Sequence, residues 1–135
     1  MHMQGTPKNM QNNPFYNNIT KDIITYFENK INKLHQLGLN NIIIDPGFGF
    51  GKTIKDNFTI LNNLEKLALL KLPILAGISR KSMIYKTLEN KSIESLNGTT
   101  ALNMIALRNG TKILRVHDVK QAQECIKLNQ ALSFK

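Results

Sequence analysis

The chain has 135 residues, 41% of them hydrophobic and 20% charged, with a formal net charge of +9. That suffices for one modest globular domain and excludes a disordered chain. A lone cysteine, Cys125, excludes a disulfide framework or multi-cysteine metal site within one chain, and there is no apolar run of about 18 residues to span a membrane.

In chain order, Met1–Gln4 reads as the last part of a strand with no upstream half. The N-terminus is polar and lacks a signal-peptide pattern, which fits a reducing cytoplasm. Residues 5–18 form a polar loop carrying Pro7 and Pro14. Ile19, Ile23, Phe27, Ile31, Leu34 and Leu37 recur at three and four, which predicts a helix closed by Gly38. Residues 41–45 predict a strand, and the run Ile42-Ile43-Ile44 predicts burial on both faces. A helix follows over about 56–70 with Ile60, Leu61, Leu64, Leu67 and Ala68 on its apolar face. Residues 73–77 give a third strand. The polar turn Ser79-Arg80-Lys81-Ser82 leads into a short helix through Leu88. Residues 98–109 read as a helix and 112–116 as the last strand. Asp118 is placed to cap a final helix with Val119, Ala122, Cys125, Ile126 and Leu132 on its apolar side.

This β-α alternation, with strands beginning near residues 1, 42, 73 and 112, predicts parallel strands with right-handed crossovers. Four such units make half of a (β/α)8 barrel. Four strands do not close a barrel, so the pattern implies a fragment, a pairing of two copies, or an open sheet. Parallel strands gather the residues at their C-terminal ends on one side. There stand His2 and Gln4, then Asp45 with the glycine loop 46–52, then residues 79–82, then Arg115, His117 and Asp118. Arg115 and His117 are two apart on a strand and share a face, a pairing suited to phosphate oxygens. The remaining lysines are scattered along helices, so they read as solvated faces and not as a nucleic-acid surface.

Plainer readings stand beside these. Asp45 can cap a turn, Asp118 can cap a helix, Arg80 and Lys81 can be solvated, and His2 and His35 can be structural or surface residues. The glycine loop also resists two common assignments. A P-loop needs glycine where Pro46 stands, and the dinucleotide pattern needs glycine where Lys52 stands. The histidines and cysteine lack zinc-ligand spacing.

Met1-His2-Met3-Gln4-Gly5-Thr6-Pro7, Asp45-Pro46-Gly47-Phe48-Gly49-Phe50-Gly51-Lys52, Gly77-Ile78-Ser79-Arg80-Lys81-Ser82 and Arg115-Val116-His117-Asp118-Val119 together resemble the C-terminal half of bacterial dihydropteroate synthase. The resemblance implies a pterin-binding TIM-barrel domain over residues 1–135, comprising its last four βα units with the N-terminal half absent. It implies condensation of 6-hydroxymethyl-7,8-dihydropterin pyrophosphate with p-aminobenzoate, releasing pyrophosphate. Asp45, Lys81 and Gly77 would bind the pterin. Gly49, Phe50 and Ser82 would line the p-aminobenzoate pocket, where sulfonamides compete. Arg115 and His117 would hold pyrophosphate and, with Lys81, carry the chemistry. Mg2+ would take its main ligand from the absent half, and the full-length protein would be a homodimer through its late helices. Where the family carries Arg before the last strand, Glu94 and Ser95 stand here, and Thr111 replaces a usual Ala; both changes are expected to touch packing or ion pairing. The competing expectation is a non-catalytic pterin or folate module related to methyltetrahydrofolate methyltransferases.

Overall fold

The computed structural model describes residues 1–132. Five helices are seen: α1 (Ile19–Gln36), α2 (Ile54–Asn62), α3 (Ser82–Tyr85), α4 (Leu96–Arg108) and α5 (Val119–Ala131). Two short parallel strands, β1 (Leu75–Ala76) and β2 (Ile113–Leu114), pair Leu75 with Ile113 and Ala76 with Leu114. The architecture is α/β with a parallel sheet.

Two of the four expected strands form as strands. The stretch 41–45 contributes one parallel bridge, Ile44 to Ile74. The first segment contributes one backbone bond, from His2 N–H to Asp45 O at 2.9 Å. The four segments still lie side by side in chain order. Beyond that bond, the His2 carbonyl lies against Gly47 and is reached by Lys52 at 3.4 Å.

Side-chain alternation corrects the expectation of burial on both faces. Ile44 is buried and Ile42 packs on the same core, whereas Ile43 points the other way and is 53% exposed. A strand sends successive side chains to opposite faces. Here the helices cover one face only. Ile74, Ala76 and Ile78 join Ile44 on the helix side with Ile19, Ile23, Phe27, Ile60, Leu61 and Leu64. Each of the isoleucine, leucine and phenylalanine side chains contributes roughly 1.5–3 kcal/mol by burial.

The helices follow their periodicity with local departures. α1 buries Ile19, Ile23, Phe27 and Ile31, but Leu37 falls at the C-cap and is exposed. The expected helix over 56–70 starts earlier and divides. Thr53 and Asp56 form a capping box that begins α2 at Ile54, and Leu64–Leu70 tightens into a 3-10 helix, exposing Ala68. A 3-10 helix eclipses positions three apart, so Leu64 and Leu67 are buried and Leu70 packs partly buried beside them on the core. α5 buries Ala122 and Cys125 but leaves Val119, Ile126 and Leu132 exposed. Thr111 is buried with its hydroxyl unpartnered among the described residues. Glu94 and Ser95 serve the 3-10 turn Ser92–Glu94, accepting from Lys91 N–H at 3.0 Å and donating to Ser92 O at 2.7 Å respectively. No helix among the described residues is long and apolar enough to cross a membrane.

Candidate active site

The loop 45–52 is held by its carbonyls. Lys52 is only 4% exposed and its ammonium donates to Gly47 O and Phe50 O, both at 2.9 Å, and lies 3.0 Å from His2 Nδ1. Lys81 donates to Phe48 O, Gln11 to Gly49 O at 2.8 Å, and Tyr16 to Gly51 O at 2.7 Å. Every carbonyl from Gly47 to Gly51 therefore receives a side-chain donor. On the other side of the chain, Gly47 N–H donates to Asp45 Oδ1 at 2.7 Å and Gly49 N–H to buried Asn57 Oδ1 at 2.7 Å. Side chains replace the ladder that a strand would have supplied, satisfying backbone groups that would otherwise be buried alone.

Gly47 and Gly49 show why glycine stands in this loop. Gly47 has φ 71° and a Cβ there would strike the His2 carbonyl. Gly49 has φ 79° and a Cβ would come 3.2 Å from Lys81 Cδ. Positive φ and close approach are both conditions that glycine tolerates best.

Asp45 thus does turn one carboxylate oxygen onto the loop, as its plainer reading anticipated, and still stands beside the Lys81 ammonium. The two phenylalanines part company. Phe48 is wholly buried in the core, so only half-buried Phe50 offers a ring to the site, with Lys81 Nζ 4.6 Å from its centroid. Burial brings the Lys81 ammonium down to about 8; Asp45 opposes that fall and Arg115 adds to it.

Gly77, Ser79, Lys81, Arg115, Val116 and His117 line one open cleft of about 360 Å³. Gly77 leaves room for Arg115, whose Cβ would lie 3.8 Å from a Cβ at position 77. The turns after β1 and β2 are locked together. Ser79 Oγ lies 3.0 Å from His117 Nδ1, and Arg80 donates to both oxygens of Asp118 at 2.9 and 2.6 Å. Arg80 is therefore a brace and not a solvated residue. It holds φ 55°, unusual for a side-chain-bearing residue, with its N–H on Thr99 Oγ1 and its carbonyl taken by Ser92 Oγ. Asp118 sits at the N-cap of α5, yet its carboxylate serves Arg80 and makes no cap bond. That pairing, through its hydrogen bond first, holds the Asp118 carboxyl below the usual range.

The structure brings Gly77, Lys81, Arg115 and His117 together, with Asp45, Gly49 and Phe50 joined to them through Lys81. Ser82 opens α3 beyond Lys81 and does not line the cleft. Sequence reasoning missed Lys52, Asn57, Gln11 and Tyr16, and gave Ser79 no separate role. The Thr53-x-x-Asp56 capping signature was the one readable signal, since it fixes the start of α2 directly after Lys52. No group of three His, Cys, Asp or Glu side chains suited to a metal exists among the described residues. The cleft is edged by cations, whereas Mg2+ takes oxygen ligands, so these residues do not fit that ion by themselves.

His2 gives a direct test of this framework. Its ring is buried, meets Tyr26 edge-on with centroids 4.9 Å apart, and is pushed down to about 4, by burial first and by Lys52 and the N-terminal ammonium next. The unfolded chain therefore takes up this proton before the folded one. Stability is complete above about pH 6.5 and is lost as pH falls through 4, by about 3 kcal/mol for this group. Urea unfolding at pH 7 and pH 4 checks it, and a His2→Gln variant is expected to lose less over that interval.

A family profile described as "Pterin binding enzyme" matches residues 1–117. Dihydropteroate synthase of Haemophilus influenzae is 41% identical over 133 residues, covering 97% of this chain and 48% of that protein. The Escherichia coli enzyme of the same name is 41% identical, with 97% and 47% covered. Among solved structures, Yersinia pestis dihydropteroate synthase in a sulfonamide drug complex aligns with a TM-score of 0.94 at 40% identity, covering 97% of this chain and 48% of that one. The Thermus thermophilus enzyme in complex with 4-aminobenzoate aligns at 0.92 and 29% identity, covering 98% and 55%. The chain spans about half the length of the curated relatives it matches. With the glycine loop and the cation-edged cleft lying inside the matched residues, the chain belongs to the pterin binding enzyme family.

Proposed function

We propose that these residues supply half of the active site of a dihydropteroate synthase, as the last four βα units of a (β/α)8 barrel. The reaction joins 6-hydroxymethyl-7,8-dihydropterin pyrophosphate to p-aminobenzoate and releases pyrophosphate. The observation that carries the reading is the convergence of Lys81, Arg115 and His117 on one cleft beside Asp45. A carboxylate accepts two parallel N–H bonds from an aminopyrimidine edge, which suits Asp45 to the pterin. Lys81 and Gly77 lie on the pterin side. Arg115 and His117 take the pyrophosphate, where the departing charge needs stabilising. Phe50 and Gly49, with Ser82 directly after Lys81 at the start of α3, take the p-aminobenzoate side. Mg2+ takes its main ligand from the N-terminal half of the barrel, outside these residues.

The cations favour this reading over a non-catalytic folate module, which has no pyrophosphate to hold. Arg115 and His117 are exposed, so water screens them in the isolated chain. The 135 residues alone are accordingly expected to turn over slowly or not at all. Exposed Ile105, Val119 and Leu128 on α4 and α5 support a homodimer of the full-length protein through these helices. The buried free thiol of Cys125 is in keeping with a cytoplasmic setting.

The test is calorimetric titration of the chain with the pterin pyrophosphate. Saturable binding that falls about tenfold or more in Asp45→Asn supports the reading, since hydrogen bonds to a charged group are worth about 1.5–3 kcal/mol. Binding of folate but not of pyrophosphate would select the module instead.

A further inference from the structure

We propose that Ser79 is a positioning residue: its hydroxyl fixes His117 as the Nε2–H tautomer, so that the ring offers the bound anion a donor and not a lone pair. The proposal rests on the reading of His117 as a phosphate-binding residue. Ser79 is 4% exposed. Its Oγ accepts the backbone N–H of His117 at 3.3 Å and lies 3.0 Å from the Nδ1 of the same ring. A serine hydroxyl carries one hydrogen. The oxygen accepts from the backbone and keeps a second lone pair, but the hydroxyl hydrogen has Nδ1 as its acceptor among the described residues, and donating it there satisfies both groups at once. Nδ1 then keeps its lone pair and the ring proton resides on Nε2.

The cleft makes this assignment consequential. His117 lines it with Arg115 and Lys81, and Nδ1 is engaged by Ser79, so Nε2 is the nitrogen left for a ligand. A lone pair at Nε2 would repel a phosphate oxygen, whereas an N–H would bind it. The Ser79–His117 contact is held in place by its neighbours, because Arg80 grips Asp118 with two bonds between the same two turns. Consecutive residues on one turn are thereby tied to consecutive residues on the other. A ring set in this way donates to the anion without having to be protonated, and Arg115 supplies the fixed charge.

The test is long-range 1H–15N NMR of the uniformly labelled chain, recorded where the imidazoles are neutral, with His2, His35 and His117 assigned by single His→Gln variants. The expected result is the Nε2–H pattern for His117, a mixed pattern in Ser79→Ala, and recovery in Ser79→Thr. Titration of the same samples with inorganic pyrophosphate is expected to show binding weakened about three- to tenfold in Ser79→Ala, the worth of one ordinary hydrogen bond. A His117 with its proton on Nδ1 in the unaltered chain overturns the proposal without any variant having to fold. An unchanged tautomer in a folded Ser79→Ala overturns it as well. An unaltered chain that shows the Nε2–H pattern but binds no pyrophosphate overturns the phosphate reading and the ligand half of the proposal, and upholds the control of the tautomer by Ser79.

Discussion

Replacing Lys52 with methionine is expected to lower the unfolding free energy by about 2–4 kcal/mol, from the donors removed and the buried acceptors left behind. Methionine keeps most of the stem and deletes the ammonium. Phe50 O and the His2 ring lose their donor outright. Gly47 O retains a bond from Phe50 N–H at 3.1 Å, which limits the loss. A second offset comes from charge. Burial brings the Lys52 ammonium down to about 8, against the pull of nearby Asp45, so keeping it charged in the folded chain is itself costly. The sign of the pH effect follows. Between about pH 8 and 10.5 the unfolded chain holds this proton more tightly than the folded one, so the unaltered chain gains stability with rising pH. Lys81 acts in the same direction, so the gain is expected to shrink but not vanish in Lys52→Met. Urea unfolding at pH 7 and pH 9.5 checks both statements. A change below about 0.5 kcal/mol at pH 7, typical of an ordinary surface substitution, would show that the carbonyls of the glycine loop do not depend on this side chain.

Arg115→Ala is expected to weaken pyrophosphate binding by about 10- to 100-fold, the equivalent of one charge-assisted contact of roughly 1.5–3 kcal/mol. The side chain is exposed in the cleft and leaves the core untouched, so unfolding curves should barely move. Arg115→Lys is expected to recover part of the affinity, since a point charge cannot reproduce a bidentate fork. The measurement is titration with inorganic pyrophosphate at two salt concentrations. An Arg115→Ala chain that binds as tightly as the unaltered one would move the anion site elsewhere.

Much of this is legible in the sequence, for identifiable reasons. α1 was readable because Ile19, Ile23, Phe27 and Ile31 repeat at helical spacing and do face the core. The gathering of Asp45, Lys81, Arg115 and His117 was readable because parallel strands present their C-terminal ends on one side. What escaped was set by contacts between distant segments. The first segment looks like a strand by composition, but it makes one backbone bond to its neighbour, and its His2 carbonyl is met by Lys52 and Gly47 from further along the chain. Ile43 looks buried by its neighbours, but the pleat turns it to the uncovered face. Asp118 fits a cap by position, yet Arg80 offers two bonds where a cap offers one. Phe48 and Phe50 are equivalent in the sequence, and only the path of the loop sends one to the core and the other to Lys81. The role of Lys52 carries no signal in the sequence, because a lysine that binds backbone carbonyls leaves no motif.

In the proposed function these residues form the pyrophosphate and pterin side of a dihydropteroate synthase site. Its most direct test joins the chain to the N-terminal half of the Escherichia coli relative and measures pyrophosphate release from the pterin pyrophosphate. Release that requires p-aminobenzoate and is abolished in Asp45→Asn or Arg115→Ala is the predicted result. A folded, joined protein that binds both substrates and releases no pyrophosphate, or releases it equally well in those two variants, would contradict the account.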